Sequence, residues 1–473
     1  MSSTSRSSVF YSYEFGCSSA SEDTSQMFRV NTTLSSRTVD LPPEIWFDIF
    51  DFATHIPGVL TLNNITELEA YGEDEDGIIL HDLYHESMHV KLAISRVSRS
   101  WRRIVTPLLF QCILIRSGPH ARAISDAFTY FRSHQAYEDF AGRWVKRIEL
   151  SVEDDYWEQD SLLSLANILD CTPNLTTFSD LHSMARVPEG FATQEVVRNL
   201  YSLCEKGNLK RLEWSGPTYF PLGDLLYGAK SSLEVLMTKQ LSEKSVSLPK
   251  LQTLVLRNAT SADRIDLSEL GSPKLFSLMT FSESSEILNP LSPSSPQLIS
   301  QYSVFPSLKH LHCVLSPNNN PSELLQRISS LESLTLDFCR QVQPRNLNKY
   351  SIRLPNMQKI VLQRFPSLQS RNDQHNDPQS LRSSYEFLLN LIDRKNNPSL
   401  KAIGFQISRS YGDEDDYITT DDVATRDGFW EAFISQCNKQ NIKLEASVGA
   451  VDHVLANWYP FHLGLLPQNL LIQ

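Results

Sequence analysis

Residues 43–56 carry two apolar stripes at helical spacing, and both begin just after a pair of prolines. The first stripe is Ile45, Ile49, Phe52 and Ile56, and the second is Trp46, Phe50 and Ala53. Pro42-Pro43-Glu44 favours a helix start, because proline fits the first turn and a carboxylate there meets the positive end of the helix dipole. A surface helix needs only one apolar stripe. The pattern therefore predicts that one stripe packs on the chain itself and the other binds a partner.

A second helical pattern covers about His89 to Val105. Its apolar positions are Val90, Ala93, Ile94, Val97, Trp101 and Ile104, with basic residues around most of the rest. Pro107 is expected to end this helix because proline lacks an amide hydrogen and clashes with the preceding turn. The alternation over Phe110–Ile115 then predicts a strand.

Two blocks of residues stand out in these helices. They read Leu41-Pro42-x-Glu44-Ile45-x-x-x-Ile49-Phe50, and Val97-x-x-x-Trp101-Arg102 followed by Pro107-Leu108-Leu109-Phe110. Together they resemble the F-box domain that is abundant in fungal proteins. That family uses a small helical module to bind the Skp-type adaptor of a cullin–RING ubiquitin ligase. The resemblance implies an F-box domain over residues 40–115. It also implies adaptor-binding or module-packing positions at Leu41, Pro42, Ile45, Ile49, Phe50, Val97 and Trp101.

An insertion at about residues 57–80 separates the two blocks, whereas F-box helices usually follow one another closely. It contains the acidic run Glu73-Asp74-Glu75-Asp76. We expect a surface loop here, since the entropy cost of closing a loop grows slowly with its length. An ordinary two-helix core element is the alternative to the F-box interpretation.

A short unit, Leu-x-x-Leu-x-apolar, recurs along the rest of the chain, at intervals of about 18 to 34 residues across the middle and at wider intervals near the C-terminus. Clear copies begin at Leu209, Leu233, Leu251, Leu275, Leu308, Leu331 and Met357, and weaker ones at Val145, Leu175, Leu400 and Ile442. Helical spacing lies between them at Ser161–Leu169, Gln194–Cys204, Ser322–Ile328, Tyr385–Ile392 and Phe429–Cys437. Alternating strands and helices predict an α/β (α+β overall) protein, with an irregular leucine-rich-repeat solenoid over residues 116–448. A conventional α/β domain with leucine-rich strands is the alternative.

Polar segments between these units are expected to be loops or tails. They are a disordered Ser/Thr-rich tail at 1–39, insertions at Ser282–Tyr302 and Ser367–Gln379, and acidic runs at Glu153–Asp155 and Asp413–Asp416. The last stretch, Val451–Gln473, is apolar. We expect residues 449–473 to form a C-terminal cap or tail, since a last repeat without a cover would expose its core.

The repeat also predicts which side chains leave the core. In Leu-x-x-Leu-x-Leu the leucines point inward, and the residue between the last two points to the opposite sheet face. We expect that face to display Arg211, Glu213, Thr253, Val255, His310, His312, Ser333, Thr335, Lys359 and Val361. This mixture of charged, hydroxyl and apolar groups suits a protein ligand. Target-binding residues are therefore predicted at Arg211, Glu213, Thr253, His310, His312, Thr335 and Lys359, positions that also fit ordinary solvent-facing strand residues.

Charge and cysteine usage narrow the classes of function. The 473 residues (53.8 kDa) carry a net charge of −12, which argues against binding a phosphate backbone. The seven cysteines are scattered without Cys-x-x-Cys pairs. That favours reduced thiols in the cytoplasm or nucleus and excludes a RING-type zinc module within this chain. The first residues lack the apolar core of a secretory signal, and no run approaches the ~18 apolar residues of a membrane helix.

The sequence His85-Glu86-Ser87-Met88-His89 matches the zinc-protease pattern, and His81 extends the same helix face by one turn. No third ligand with its glycine follows at the short spacing of one zincin class, and Lys91 places a cation on this helix. A zinc hydrolase is therefore the minor alternative, and incidental metal binding by His81, His85 and His89 stays open. No dinucleotide-binding, P-loop or nucleophile-elbow motif is present, and no cofactor is expected.

Two modules, one expected to bind an adaptor and one offering a long surface, suggest a receptor. The F-box resemblance implies that this receptor is a non-catalytic substrate-recognition subunit of a Skp–cullin–F-box ubiquitin ligase. Its helical module would bind the adaptor, and through it a cullin, while the repeats hold a target protein. A tethered target meets the ubiquitin-carrying enzyme at high effective concentration, so the chain itself needs no catalytic residue. A protein-interaction scaffold that never joins a ligase is the alternative.

Overall fold

A computed structural model gives the architecture of the chain. It describes residues 41–73, 78–134, 141–152, 157–183, 190–215, 222–239, 246–257, 272, 274–281, 307–315, 325, 328, 330–338, 353–363, 365, 378–406 and 432–446. Residues Pro43–Gln473 belong to one compact unit and Met1–Pro42 to another. The expected tail at 1–39, the acidic runs at 153–155 and 413–416, the insertion at 282–302 and the cap at 449–473 lie outside the described residues. So do nearly all of the insertion at 367–379 and most of the helix expected at 322–328.

Four helices open the compact unit. They are α1 (Pro43–Ala53), α2 (Ile65–Glu73), α3 (Ile78–Val97) and α4 (Arg99–Phe110). Further helices accompany the strands: α5 (Gly118–His134), α6 (Gln159–Asp170), α7 (Phe191–Glu205), α8 (Leu222–Ala229), α9 (Pro378–Ile392) and α10 (432–439). The predicted helices at 161–169, 194–204 and 385–392 lie inside α6, α7 and α9, and the one at 429–437 overlaps α10. Helices α5 and α8 were not expected from the spacing.

The strands of the described region form one sheet of twelve, ordered as they occur in the chain and parallel throughout. They are β1 (Cys112–Ile115), β2 (Arg147–Leu150), β3 (Thr177–Ser179), β4 (Arg211–Trp214), β5 (Val235–Thr238), β6 (Thr253–Leu256), β7 (Ser277–Thr280), β8 (His310–Leu315), β9 (Ser333–Phe338), β10 (Lys359–Gln363), β11 (Ala402–Gln406) and β12 (Lys443–Ala446). The mixed helix and strand class with a parallel sheet is therefore confirmed.

Register explains why the repeated unit builds this sheet. Leu212 of β4 pairs with Leu236 of β5, and Leu236 pairs with Leu254 of β6, so equivalent positions of successive units stand side by side. These leucines share one buried cluster with Leu165 of α6 and Leu200 of α7. Since side chains alternate along a strand, the residues between the leucines occupy the other face of the sheet. We call the first face the helix side and the second the insertion side.

The predicted helix from His89 to Val105 is two helices. Ser98 has an extended conformation, and its Oγ accepts a hydrogen bond from the Trp101 amide at 3.1 Å, which caps the start of α4. Pro107 does not end α4, which continues to Phe110. Burial of Leu108 in that last turn offsets the hydrogen bond that proline removes.

The segment at 57–80, expected to be a surface loop, also differs from the prediction. It contains α2 and the start of α3, and Leu68 and Tyr71 on α2 are buried. Their apolar surface belongs to a core cluster on the insertion side of the sheet. The segment is therefore part of the packed structure, and it determines what the sheet can present to a partner.

Candidate functional site

Helix α1 packs on α4 through a cluster of aromatic rings. Trp101 of α4 lies between Trp46 and Phe50 of α1, with ring centroids 4.8 Å and 4.9 Å away. Phe50 is 3% exposed and joins Val105 in a small core that is separate from the sheet. Trp46 and Phe50 of the second stripe are thus packed on their own chain as predicted, whereas Ala53, the last residue of that stripe, is exposed.

The other stripe of α1 is exposed. Ile45 is 43% exposed, Ile49 is 42% exposed and Phe52 is 87% exposed. These residues follow one another at helical spacing, so they form one apolar strip along the helix. Val97, the last residue of α3, is 62% exposed. The helical module therefore leaves these four apolar side chains exposed.

Not every residue predicted to bind the adaptor is accessible. Phe50 is buried and Trp101 is half-buried within the aromatic cluster, so both are packing residues of the module. Ile56, the last residue of the first stripe, is buried because α1 ends at Ala53 and the chain then turns toward the sheet. Leu41 and Pro42 immediately precede α1. Adaptor binding by Ile45, Ile49 and Val97 stays a prediction.

The insertion covers the middle of the insertion side with apolar side chains. Leu68 of α2 is packed in a cluster with Ile56 and Val59 before it and Leu80 after it. The sheet supplies the other half of this cluster, namely Val235, Met237, Val255, Met279 and Phe281. Strands β5 to β7 are thereby closed to solvent on both faces, since their residues are all buried.

Tyr71 of α2 contacts the side chains of β2 and β4 on the insertion side. Its Oη donates a hydrogen bond to Glu213 Oε2 at 2.5 Å and accepts one from Arg147 Nη2 at 2.5 Å. The guanidinium carbons of Arg147 and Arg211 lie 5.1 Å and 4.8 Å from the centre of its ring, within cation–π range. The ring therefore sits between two buried cations of β2 and β4.

The two arginines also bind the backbone of the insertion. Arg211 Nη1 donates to the carbonyl oxygens of Gly58 at 2.5 Å and Thr61 at 2.7 Å, and Arg147 Nη1 donates to that of Val59 at 3.3 Å. Arg147 makes a two-pronged ion pair with Glu213, with N–O distances of 2.7 Å and 2.8 Å. Burial alone would raise the pKa of Glu213, but the charges of Arg147 and Arg211 and the hydrogen bonds it accepts hold that pKa far below its usual value.

Glu69, also on α2, carries the contact to β8 and β9. Its Oε1 lies 2.8 Å from His310 Nε2 and accepts a hydrogen bond from Thr335 Oγ1 at 2.9 Å. Burial would raise the pKa of this carboxyl, but the hydrogen bond and charge of His310, with smaller contributions from His312 and Thr335, lower it overall. Tyr71 and Glu69 thus hold α2 across the sheet from β2 to β9.

The predicted target face is therefore not displayed. Arg211, Glu213, Thr253, His310, His312 and Thr335 are all buried. Lys359 on β10 differs, because its side chain is 44% exposed and pairs with Glu445 at 2.9 Å. Side-chain alternation places these residues on the predicted face of the strands. The prediction that this face is exposed to solvent is wrong, because the insertion covers the face. Target binding by these residues stays a prediction.

The zinc-like motif does not converge on a site. His85, Glu86 and His89 are exposed on α3, whereas the ring of His81 packs edge-on to His182 of the sheet region, with centroids 6.2 Å apart. Within the ranges that the structure describes, no group of three or more His, Cys, Asp or Glu side chains could hold a metal ion.

The same described ranges contain no helix of the length and apolarity needed to cross a membrane. The cysteines placed there, Cys112, Cys171, Cys204, Cys313 and Cys437, are buried and free.

Comparison with known proteins assigns no family. No protein-family model matches the chain, and no curated protein matches it. Among solved structures, it is similar to a chain of the yeast Rad7 and Elc1 complex, with 13% sequence identity and a TM-score of 0.28. The similarity covers 76% of this chain and 96% of that one.

Proposed function

We propose that this chain is a non-catalytic substrate receptor whose helices α1–α4 act as an F-box and bind a Skp-type adaptor. The observation that carries the proposal is the division of α1 into two apolar stripes. Trp46 and Phe50 are held by Trp101, while Ile45, Ile49 and Phe52 are left exposed. The two motif blocks resemble the F-box family at these same helices.

Exposed apolar residues in a row are costly unless something covers them. Burying a side chain of this size contributes about 1.5–3 kcal/mol, so a partner that covers all three gains a substantial part of its binding energy there. Two aromatic contacts fix the helix that carries them, so the strip is held ready for a partner. Through the adaptor the chain would reach a cullin, in the cytoplasm or nucleus.

The test is direct binding of purified full-length chain to a purified Skp-type adaptor, measured by calorimetry. Ile49→Asp should weaken binding by about 30-fold, the equivalent of a 2 kcal/mol anchor. The matched control is Leu163→Asp on α6, because Leu163 is 40% exposed and Ile49 is 42% exposed. Both variants should melt within a few degrees of the unchanged protein. The proposal fails if the unchanged chain does not bind, or if both variants bind alike.

An interaction scaffold outside any ligase is the second candidate. It is favoured by the occupied insertion side, because the face expected to select a target is buried under α2. The two candidates differ in adaptor binding, so the same calorimetry separates them. The target-holding role of the receptor then depends on whether the occupied face can be opened.

A further inference from the structure

We infer that residues 56–73 act as a ligand bound in cis, and that the insertion side of β2–β9 is a binding site for an acidic helical peptide. A partner protein would present such a segment after the resident one is displaced. The inference stands independently of adaptor docking, because it concerns the sheet and not the exposed stripe of α1.

The covered face has the side chains of a binding surface. Arg147, Glu149, Arg211, Glu213 and His310 lie on it, and every one is buried. Burying such groups costs several kcal/mol each unless they are fully paired, and apolar residues of similar volume often give equal or greater stability. If this face were only permanent core, β2, β4 and β8 would therefore be expected to carry apolar side chains on it, as β5–β7 do on the same face.

The resident segment makes the contacts that a peptide makes with its receptor. Apolar residues fill the centre, and the two ends are fixed by directed polar contacts from Glu69 and Tyr71. The sheet arginines also bind main-chain carbonyl oxygens of Gly58, Val59 and Thr61, which any peptide can offer. An apolar anchor combined with hydrogen bonds to main-chain and side-chain groups is a common arrangement in peptide recognition, although here the polar contacts are buried as well.

The segment is also shaped by its own hydrogen bonds. The Gly58 amide and the Thr61 hydroxyl both donate to Glu67 Oε2, and the Asn64 side chain donates to Glu67 Oε1. Gly58 has a φ of +77°, and a Cβ atom there would lie 2.7 Å from the Glu67 carbonyl oxygen, so glycine permits this close turn. A ligand that holds its bound shape loses less entropy on binding.

The contacts define the chemistry of a competing ligand. A carboxylate would have to reach His310 and Thr335, as Glu69 does. An aromatic hydroxyl two residues later would enter between Arg147 and Arg211, as Tyr71 does. A leucine just before the carboxylate would enter the apolar centre, as Leu68 does. The expected partner therefore carries a helical Leu-Glu-x-Tyr segment or a close chemical equivalent.

The covalent attachment of residues 56–73 to the rest of the chain determines what affinity a competing peptide needs to displace them. A short linker holds the resident segment at an effective concentration of about millimolar. A free peptide of the same affinity therefore competes only near that concentration, and a partner must bind more tightly or act after the segment has been released. The unchanged chain should consequently resist peptides that an opened chain accepts.

The test uses full-length protein in which residues 59–73 are replaced by glycine and serine at equal length. The probe is a synthetic peptide of residues 56–73, followed by fluorescence anisotropy. The opened chain should bind it with a Kd below about 100 µM, and the unchanged chain at least 10-fold more weakly. Glu69→Gln and Tyr71→Ala peptides should each lose at least 10-fold, while the control peptide Thr66→Ala, changed at an exposed position, should bind normally.

Three results of the peptide-binding test would overturn the inference. These are a folded opened chain that does not bind the peptide, binding that ignores both anchor substitutions, and equal binding by the unchanged chain, which would place the peptide elsewhere. If the opened chain does not fold, the full-length Glu69→Gln/Tyr71→Ala variant replaces it. Its α2 amides should exchange hydrogen at least 10-fold faster while those of β6 stay protected, and it should bind the free peptide. Faster exchange of α2 and β6 together would show one permanent core and would reject the inference.

Discussion

Glu69 and His310 are 241 residues apart in the sequence, yet Glu69 Oε1 and His310 Nε2 lie 2.8 Å apart. The contact joins the segment between the two F-box-like blocks to the eighth strand of the sheet. It makes the insertion a structural part of the sheet, so substitutions in a stretch that reads as a loop should behave like core substitutions.

Glu69→Gln should lower the free energy of unfolding by about 1–3 kcal/mol, because the amide cannot match a carboxylate that accepts bonds from both His310 and Thr335. The pKa of Glu69 is lowered in the folded protein from a usual value of 4.5. Its stabilising contribution is therefore complete above that value and is lost as the pH falls through the folded pKa.

Urea unfolding at pH 7 and at pH 4 checks this prediction. The difference between the unchanged protein and Glu69→Gln should be large at pH 7 and smaller at pH 4. The control is Glu86→Gln on α3, where the side chain is exposed, and it should shift stability by less than about 0.5 kcal/mol. Equal effects of the two substitutions would mean that α2 does not contribute to the folded core.

Arg147→Met should be among the most destabilising single changes in this chain. It would leave Glu149 and Glu213 buried without the cation that pairs with both, a loss of about 3–5 kcal/mol. Arg198→Met on α7 is the matched control, because the Arg198 side chain is 72% exposed and its ion pair with Glu195 should contribute less than about 1 kcal/mol. Chemical denaturation of both variants gives the comparison, and similar losses would contradict the buried network.

Asp180, just after β3, should make the protein less stable as the pH rises. Burial raises its pKa from 3.8 to about 7, although the Ser215 amide and hydroxyl donate to it at 2.7 Å and 3.2 Å. Because the folded pKa is above the unfolded one, the folded state holds the extra proton, and stability falls between about pH 4 and pH 7. The total decrease in the free energy of unfolding, complete once the pH is above about 7, is about 4 kcal/mol at most, since each unit of pKa difference corresponds to about 1.4 kcal/mol.

Asp180→Asn keeps an acceptor for Ser215 and removes the ionisation. The variant should therefore be more stable than the unchanged protein at pH 8 and closer to it at pH 4. Asp126→Asn on α5, at an exposed position, is the control and should leave the pH profile unaltered. Thermal melts from pH 4 to pH 8 measure the profiles, and parallel curves for all three proteins would refute the assignment.

The sequence predicts the sheet better than it predicts what covers the sheet. Leu212, Leu236 and Leu254 recur in one local unit, and stacking that unit in chain order is enough to place them in register. The two stripes of α1 follow in the same way from helical spacing. The contacts of α2 do not, because Glu69 and Tyr71 meet partners that no local pattern connects to them. A charged residue such as Arg211 reads as solvent-facing unless its distant partner is known.

Helix boundaries show a related limit of local patterns. Apolar spacing runs through Ser98 without interruption, so the break between α3 and α4 is visible only as a capping residue. Pro107 does not stop α4, since burial of Leu108 stabilises the last helical turn. In both cases the side-chain contacts decide the backbone, and the spacing alone does not contain them.

Phe50 and Phe52 lie two residues apart on α1, and they should respond to substitution in opposite ways. Phe50 is 3% exposed and packs on Trp101, so Phe50→Ala should lower the free energy of unfolding of the helical module by about 3–5 kcal/mol. Phe52 is 87% exposed, so Phe52→Ala should change stability by less than about 0.5 kcal/mol. If α1 docks an adaptor through its exposed stripe, Phe52→Ala should still weaken that binding by at least 5-fold, or about 1 kcal/mol. Melting curves and adaptor calorimetry on the same two proteins separate a packing residue from a docking residue. Loss of stability in both would mean that the exposed stripe is covered by the chain itself, and the docking proposal would then lose its support.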